Sequence, residues 1–187
     1  FVAMSPRAQP RGKLANWGNS FLPGAYAGSY VNINSMKPDA VINDLKNPSL
    51  DRSLQRKQAD LLGQLNKLHL DRVKKDQSLE SSIQAMEMAF RMQFSVPDVF
   101  DINKESEATK KLYGDSEFAK GCLIARRLVE QGVRVVQLNH SIDGYDIAWD
   151  TGHGDIKGGH ARLAHACDQG IAALLKDLKG RGLLKDT

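Results

Sequence analysis

The chain has 187 residues, 41% hydrophobic and 26% charged, with a formal net charge of +4, which is typical of a globular domain able to bury a core. Its basic residues are spread along helical segments without interleaved aromatic residues, so nucleic acid is excluded as a predicted partner. No apolar run reaches the about 20 residues that span a bilayer, and no signal segment is recognisable, so no transmembrane segment is predicted.

Residues 1–48 contain five of the six prolines and show neither helical nor strand periodicity. This composition predicts an ordered but irregular arm. Its large aromatic side chains are expected to hold the arm against the body of the domain rather than to bind a ligand. They are Trp17, Phe21, Tyr26 and Tyr30.

Residues 49–95 show the spacing of two amphipathic helices. The first is predicted over about 50–72, and the second ends before Pro97. The apolar face of the first helix carries Leu54, Leu61, Leu65 and Leu68, and that of the second carries Leu79, Ile83, Met86 and Phe90.

Residues 96–187 read as the α/β part of the domain. Residues 99–102 are predicted to be an extended link, followed by a short helix over 105–113 that Gly114 closes. A stronger helix begins after Asp115 or Ser116 and stops at Gly132. A strand near 133–139 and a long C-terminal helix follow, and their order predicts a parallel sheet. Both Cys122 and Cys167 lie in apolar helical patterns, which favours buried thiols over a disulfide.

Only one strand is evident in the sequence, although a helix that follows a strand of a parallel sheet needs a further strand to return to. We therefore expect residues 1–187 to be part of one domain of which both ends are missing.

The loop Trp149–Asp155 carries the residues best suited to chemistry. It places Asp150 and His153 after the predicted strand, where open α/β sheets build their sites, and carboxylate with imidazole suits a divalent ion such as Zn or Mn. These two residues are the predicted metal ligands. The alternative is that Asp150 forms a local turn and His153 a hydrogen bond within the loop.

Other polar residues near this loop are weaker candidates for binding a metal or a substrate. His140 at the end of the strand and His160 at the start of the last helix are candidates to bind a metal or a substrate. His165 is expected to face solvent or packing, and Asp155 to cap the helix. Nothing in the spacing selects Asp143 or Asp146.

Several short motifs follow one another in a specific order across nearly the whole chain. They are Asn16-Trp17-Gly18, Phe21-Leu22-Pro23, Tyr26-Ala27-Gly28, Phe90-Arg91-Met92-Gln93, Pro97-Asp98-Val99-Phe100-Asp101, Leu112-Tyr113-Gly114, the run from Cys122 to Glu130, Trp149-Asp150, and the run from Ala172 to Leu184. In this order they resemble an uncharacterised bacterial sulfatase-like family, a domain of unknown function in the alkaline-phosphatase-like superfamily.

The resemblance implies a doubly wound α/β/α sandwich, an exported or periplasmic location and a divalent metal (Zn, Mn or Ca) that activates a nucleophile. It also implies a small-molecule or glycan ester as substrate. That family more often shows Trp-Asp-x-His, so the additional Gly152 weakens the match of His153. The nucleophile motif of such enzymes is missing from this sequence, and Ser5-Pro6-Arg7 resembles it only superficially. The isolated chain is therefore expected to be inactive.

Two functions of different classes follow. The first is a metal-dependent hydrolase of sulfate or phosphate esters, with Asp150 and His153 in a site completed by residues outside this chain. The second is a non-catalytic sulfatase-like binding or structural module of an exported protein.

Overall fold

A computed structural model describes residues 1–6, 12–22, 26–33, 51–73, 98–140, 149 and 156–185. Short 3-10 turns at Lys13–Asn16, Ile102–Lys104 and Leu183–Lys185 accompany the main elements. The main elements are β1 (Val2–Ser5), β2 (Ser29–Asn32), α1 (Arg52–Val73), α2 (Glu107–Tyr113), α3 (Glu117–Glu130), β3 (Val136–Leu138) and α4 (Ile156–Gly180).

The three strands form a parallel sheet in the order β2-β1-β3, with β1 in the centre. Every residue of β1 is buried, as expected for a central strand that is covered on both faces. One face carries Val2 and Met4, which pack with Ile124 and Leu128 of α3. The mixed α/β class and the parallel sheet are therefore confirmed, within a helix-rich chain whose described sheet has three strands.

The opposite face of the sheet is covered by the N-terminal arm. Tyr30 pairs in register with Ala3, and its ring stacks on Trp17 with the two centroids 4.4 Å apart. Trp17 is buried, so this part of the arm prediction holds, but Phe21 and Tyr26 are 91% and 61% exposed and do not hold the arm.

Two further expectations for the chain before α2 are wrong. The region predicted to be irregular contains β1 and β2, because four-residue strands are too short to show a period. Residues 98–100 are helical and Ile102–Lys104 is a 3-10 turn, where an extended link was predicted. Asp101 starts that turn by accepting a hydrogen bond from the backbone N–H of Asn103.

The predicted helices within the described residues are all present. Helix α1 matches the predicted first helix, while the predicted second helix lies outside the described residues. Ser106 and Ser116 cap α2 and α3 by accepting hydrogen bonds from the N–H groups of Thr109 and Ala119. Gly114 ends α2 with a φ of 86°, which is the left-handed conformation that favours glycine.

Helix α1 differs from its predicted role in one respect. Its leucines were expected to form a packed face, yet they are exposed, and α1 makes few contacts with the other described elements. The leucines concerned are Leu54, Leu61, Leu65 and Leu68.

None of the described helices is long and apolar enough to cross a membrane, in agreement with the sequence.

Helices α3 and α4 lie side by side and run in the same direction. The start of α3 packs against the middle of α4: the Ser116 hydroxyl donates to the Ala166 carbonyl at 3.2 Å, and Gly170 lies directly against Ala119. At their ends, Arg181 pairs with Glu130 at 2.8 Å. Because α3 leads through a turn into the start of β3, α3 begins at the edge of the sheet where the strands end, and the first turns of α4 extend beyond the start of α3.

A buried arginine joins α3 to the elements around it. Arg126 is 2% exposed, and its guanidinium lies 2.8 Å from Glu105, 2.6 Å from Glu130 and 3.1 Å from Asp177. The Tyr113 hydroxyl donates to the same Asp177 at 3.1 Å.

The two cysteines of these helices are buried free thiols, as predicted, and burial raises the pKa of Cys122 to about 12.

Candidate functional site

The order β2-β1-β3 places a topological switch point between β1 and β3. From β1 the chain moves to β2 on one side, and it later returns to β3 on the other side. The arm after β1 covers one face and α3 before β3 covers the other. In such sheets, ligands bind in the crevice outside the carboxyl ends of the two strands on either side of the switch. Ser5 ends β1, and Asn139 and His140 follow β3 at this edge.

His140 is held by aromatic rings at this edge. Its ring meets Phe118 of α3 edge-on at 5.1 Å between centroids, and it lies 5.7 Å from the ring of Trp149. Its Nδ1 atom is buried and has no hydrogen-bond partner among the described residues. Burial also lowers the pKa of His140, which favours the neutral imidazole.

His160 approaches the same tryptophan from α4. The two rings are 6.0 Å apart between centroids, and His160 Nε2 lies 2.7 Å from the backbone oxygen of Trp149. A carbonyl oxygen only accepts hydrogen bonds, so Nε2 carries the proton and the neutral ring has its lone pair on Nδ1. Histidines that bind metals are commonly oriented by this kind of N–H to carbonyl bond.

The structure therefore brings His140 and His160 to one place, against Trp149. They come from positions 20 residues apart in sequence, at the end of β3 and the start of α4. Trp149 itself is 47% exposed, so the two imidazoles cover it only in part. The Phe118 and Trp149 contacts were not predicted, because an aromatic residue in a helical apolar pattern or in a loop gives no sign of its partner.

The two principal predicted ligands are not placed by the structure. Asp150 and His153 lie outside the described residues, as do Asp155, Asp143 and Asp146, although Asp150 directly follows Trp149 in sequence. The described residues contain no group of three potential metal ligands. His165 is exposed on α4, as expected.

The hydroxyl residue at the end of β1 is fully enclosed. Ser5 is 0% exposed, and on the neighbouring strand burial raises the pKa of the Tyr30 hydroxyl above its ordinary value. Asn139 extends the pairing beyond β3, because its backbone N–H donates to the Met4 carbonyl at 2.8 Å. These contacts fix the ends of β1 and β3 relative to each other.

Comparison with protein-family models gives a match over the whole chain. A family model described as "Protein of unknown function (DUF1501)" matches residues 1–187. The chain belongs to the DUF1501 family. No curated protein and no solved structure matches it.

The DUF1501 match corrects the resemblance drawn from the sequence. The family that covers the chain is one of unknown function, and nothing found links it to the sulfatases or to the alkaline-phosphatase-like superfamily. The sulfatase-like assignment is therefore wrong. The motifs on which it was based include helix stops and core positions, such as Leu112-Tyr113-Gly114, whose burial and turn geometry have a purely structural explanation.

Proposed function

We propose that the carboxyl edge of the sheet is part of the site of a metal-dependent hydrolase that cleaves sulfate or phosphate esters. The observation that carries the proposal is the convergence of His140 and His160 on Trp149, at the switch point between β1 and β3. This is where parallel α/β sheets bind their ligands. The residue after Trp149 is Asp150, the carboxylate that the sequence favours most as a ligand.

The donor atoms suit a divalent ion. His160 Nδ1 has a free lone pair because Nε2 donates to a carbonyl, and His140 Nδ1 is buried without a partner among the described residues. With Asp150 and His153 they would make a set of nitrogen and oxygen ligands that fits Zn or Mn, while Ca would use the carboxylate alone. A bound ion of this class would polarise an ester oxygen and neutralise charge that develops on it.

The electrostatics of the edge favour an anionic substrate. Phe118 in the first turn of α3 contacts His140, and His160 lies within the first two turns of α4, so the positive ends of both helix dipoles lie near the two histidines. The chain as a whole has a net charge of +4. A sulfate or phosphate group would be attracted by both, and neutral His140 would not oppose a bound cation.

His165 offers a matched control for His160 in the test. Both are exposed histidines of α4, but only His160 is hydrogen-bonded to Trp149 among the described residues. Equilibrium dialysis against Zn²⁺, Mn²⁺ and Ca²⁺ should show binding of an ion by the wild type and by His165→Ala. Binding should weaken by about tenfold or more in Asp150→Ala and His160→Ala. Unchanged binding in both of these variants would refute the metal site.

Turnover separates the enzyme from the second candidate, a non-catalytic binding module. The exposed ring of Trp149 favours this alternative, because a half-exposed indole can hold a ligand without any chemistry. The full-length protein, loaded with the ion it binds best, should hydrolyse 4-nitrophenyl phosphate or 4-nitrophenyl sulfate, and His160→Ala should not. Metal binding with no turnover of either ester would favour the module.

A further inference from the structure

The contacts within the site cover Trp149 only in part. Its neighbours are two imidazoles at 5.7 and 6.0 Å between centroids, with planes tilted by 55° and 36°, so neither is stacked flat on the indole. The residue remains 47% exposed. In the described part of the chain the other tryptophan, Trp17, is by contrast buried and stacked on Tyr30.

Exposure of a tryptophan at this position has a free-energy cost, because a large apolar ring gains from burial. The ring is nevertheless held in place. The backbone carbonyl of Trp149 accepts the hydrogen bond of His160, and His140 contacts its side chain. A fixed and partly open indole at the ligand-binding edge of a parallel sheet provides a flat apolar surface for a ring of the ligand.

We propose that Trp149 selects esters whose alcohol part is a ring, by stacking that ring on its indole while the anionic group lies toward the histidines. The inference rests on the proposed function, since it assumes an anionic ester in the site. Trp149 is in this view a specificity-determining residue that contacts the substrate and takes no part in bond cleavage. An aromatic ring and a sugar ring both present an apolar face, and the experiment distinguishes them.

Affinity of the metal-loaded chain for three phosphate esters tests the proposal. Isothermal titration calorimetry with methyl phosphate, phenyl phosphate and glucose 6-phosphate should give binding about tenfold tighter for at least one ring ester than for methyl phosphate, the gain expected of one stacked ring pair. The ester that gains identifies the ring as aromatic or sugar. Equal affinities for all three esters would overturn the proposal.

Two variants assign the effect to the ring. Trp149→Ala keeps the backbone carbonyl that orients His160 but removes the ring contacts with His140 and His160, so the test is the ratio of affinities: the ring ester should bind no more tightly than methyl phosphate in this variant, whatever the absolute affinities. Trp149→Phe should retain most of the preference. In a Trp17→Phe background the fluorescence of Trp149 alone should change on binding of the ring ester. A preference that survives in Trp149→Ala would refute the role of this residue.

Failure of the two proposals can be told apart. If all three esters bind equally and binding needs the metal, the proposed function stands and the ring selection is wrong. If no phosphate or sulfate ester binds with or without the metal, the proposed function is wrong and the ring selection with it.

Discussion

At the scale of single residues, the clearest electrostatic effect is on Glu105. Burial would raise the pKa of this carboxyl, but hydrogen bonds and charge from Arg126 and Arg127 outweigh it, so the pKa lies below its ordinary value. A lowered pKa means that the folded state prefers the ionised form. The resulting stability is present above the ordinary carboxyl pKa of about 4.3 and is lost as the pH falls through the folded-state value.

The variant Glu105→Gln tests this linkage. It removes the charge while keeping the shape, so we expect it to be less stable than the wild type at pH 7. The difference should shrink as the pH falls below about 4.3, because the unfolded chain then takes up a proton at this carboxyl while the folded state keeps it ionised down to its lower pKa. Urea denaturation at several pH values between 3 and 7 measures both free energies of unfolding. A difference that stays constant with pH would contradict the assignment.

At the scale of elements, the contact between α3 and α4 depends on a small residue. A Cβ added to Gly170 would lie 2.9 Å from the Ala119 Cα, which is backbone and cannot rotate away. We therefore expect Gly170→Ala to destabilise the protein by about 1–3 kcal/mol, despite the better helix propensity of alanine. Gly180→Ala in the same helix is the control, because its Cβ meets nothing within 4 Å. Chemical denaturation measures the free energy of unfolding of both variants. Equal values for the two would contradict close packing between Gly170 and Ala119.

The elements also show what the sequence could predict and what it could not. The end of α2 at Gly114 and the start of α3 at Ser116 follow from a stop and a cap in the sequence itself, whereas the Ser106 cap of α2 was not predicted. The strands β1 and β2 were missed because their evidence is a pairing between distant residues. The same holds for the site: His140 and His160 could be chosen individually as strand-end and helix-start residues, but their shared contact with Trp149 is tertiary.

At the scale of the whole molecule, the ion pairs of Arg126 add to the hydrophobic contacts that join α2, α3 and α4 through Tyr113, Cys122 and Ala173. Glu105 precedes α2, Glu130 ends α3 and Asp177 lies in α4, and all three carboxylates contact this guanidinium. Two arginines that are more exposed than Arg126 pair with the same acids. Arg127 pairs with Glu105, and Arg181 pairs with Glu130 and Asp177. The network fixes the C-terminal parts of α3 and α4, which lie away from the site, relative to each other.

Removing the central guanidinium should therefore affect the whole fold. We expect Arg126→Leu to lower the free energy of unfolding by more than about 1 kcal/mol but by less than the about 3–5 kcal/mol of an unpaired buried charge, because Glu105, Glu130 and Asp177 keep only Arg127 and Arg181 as partners. Arg56→Ala is the control: its pair with Asp60 on α1 is exposed, so its loss should cost less than about 1 kcal/mol. Urea denaturation monitored by far-UV circular dichroism measures both. If Arg126→Leu were as stable as the wild type, the leucine packing would compensate fully for the lost ion pairs, and the network would not be what holds α3 and α4 together.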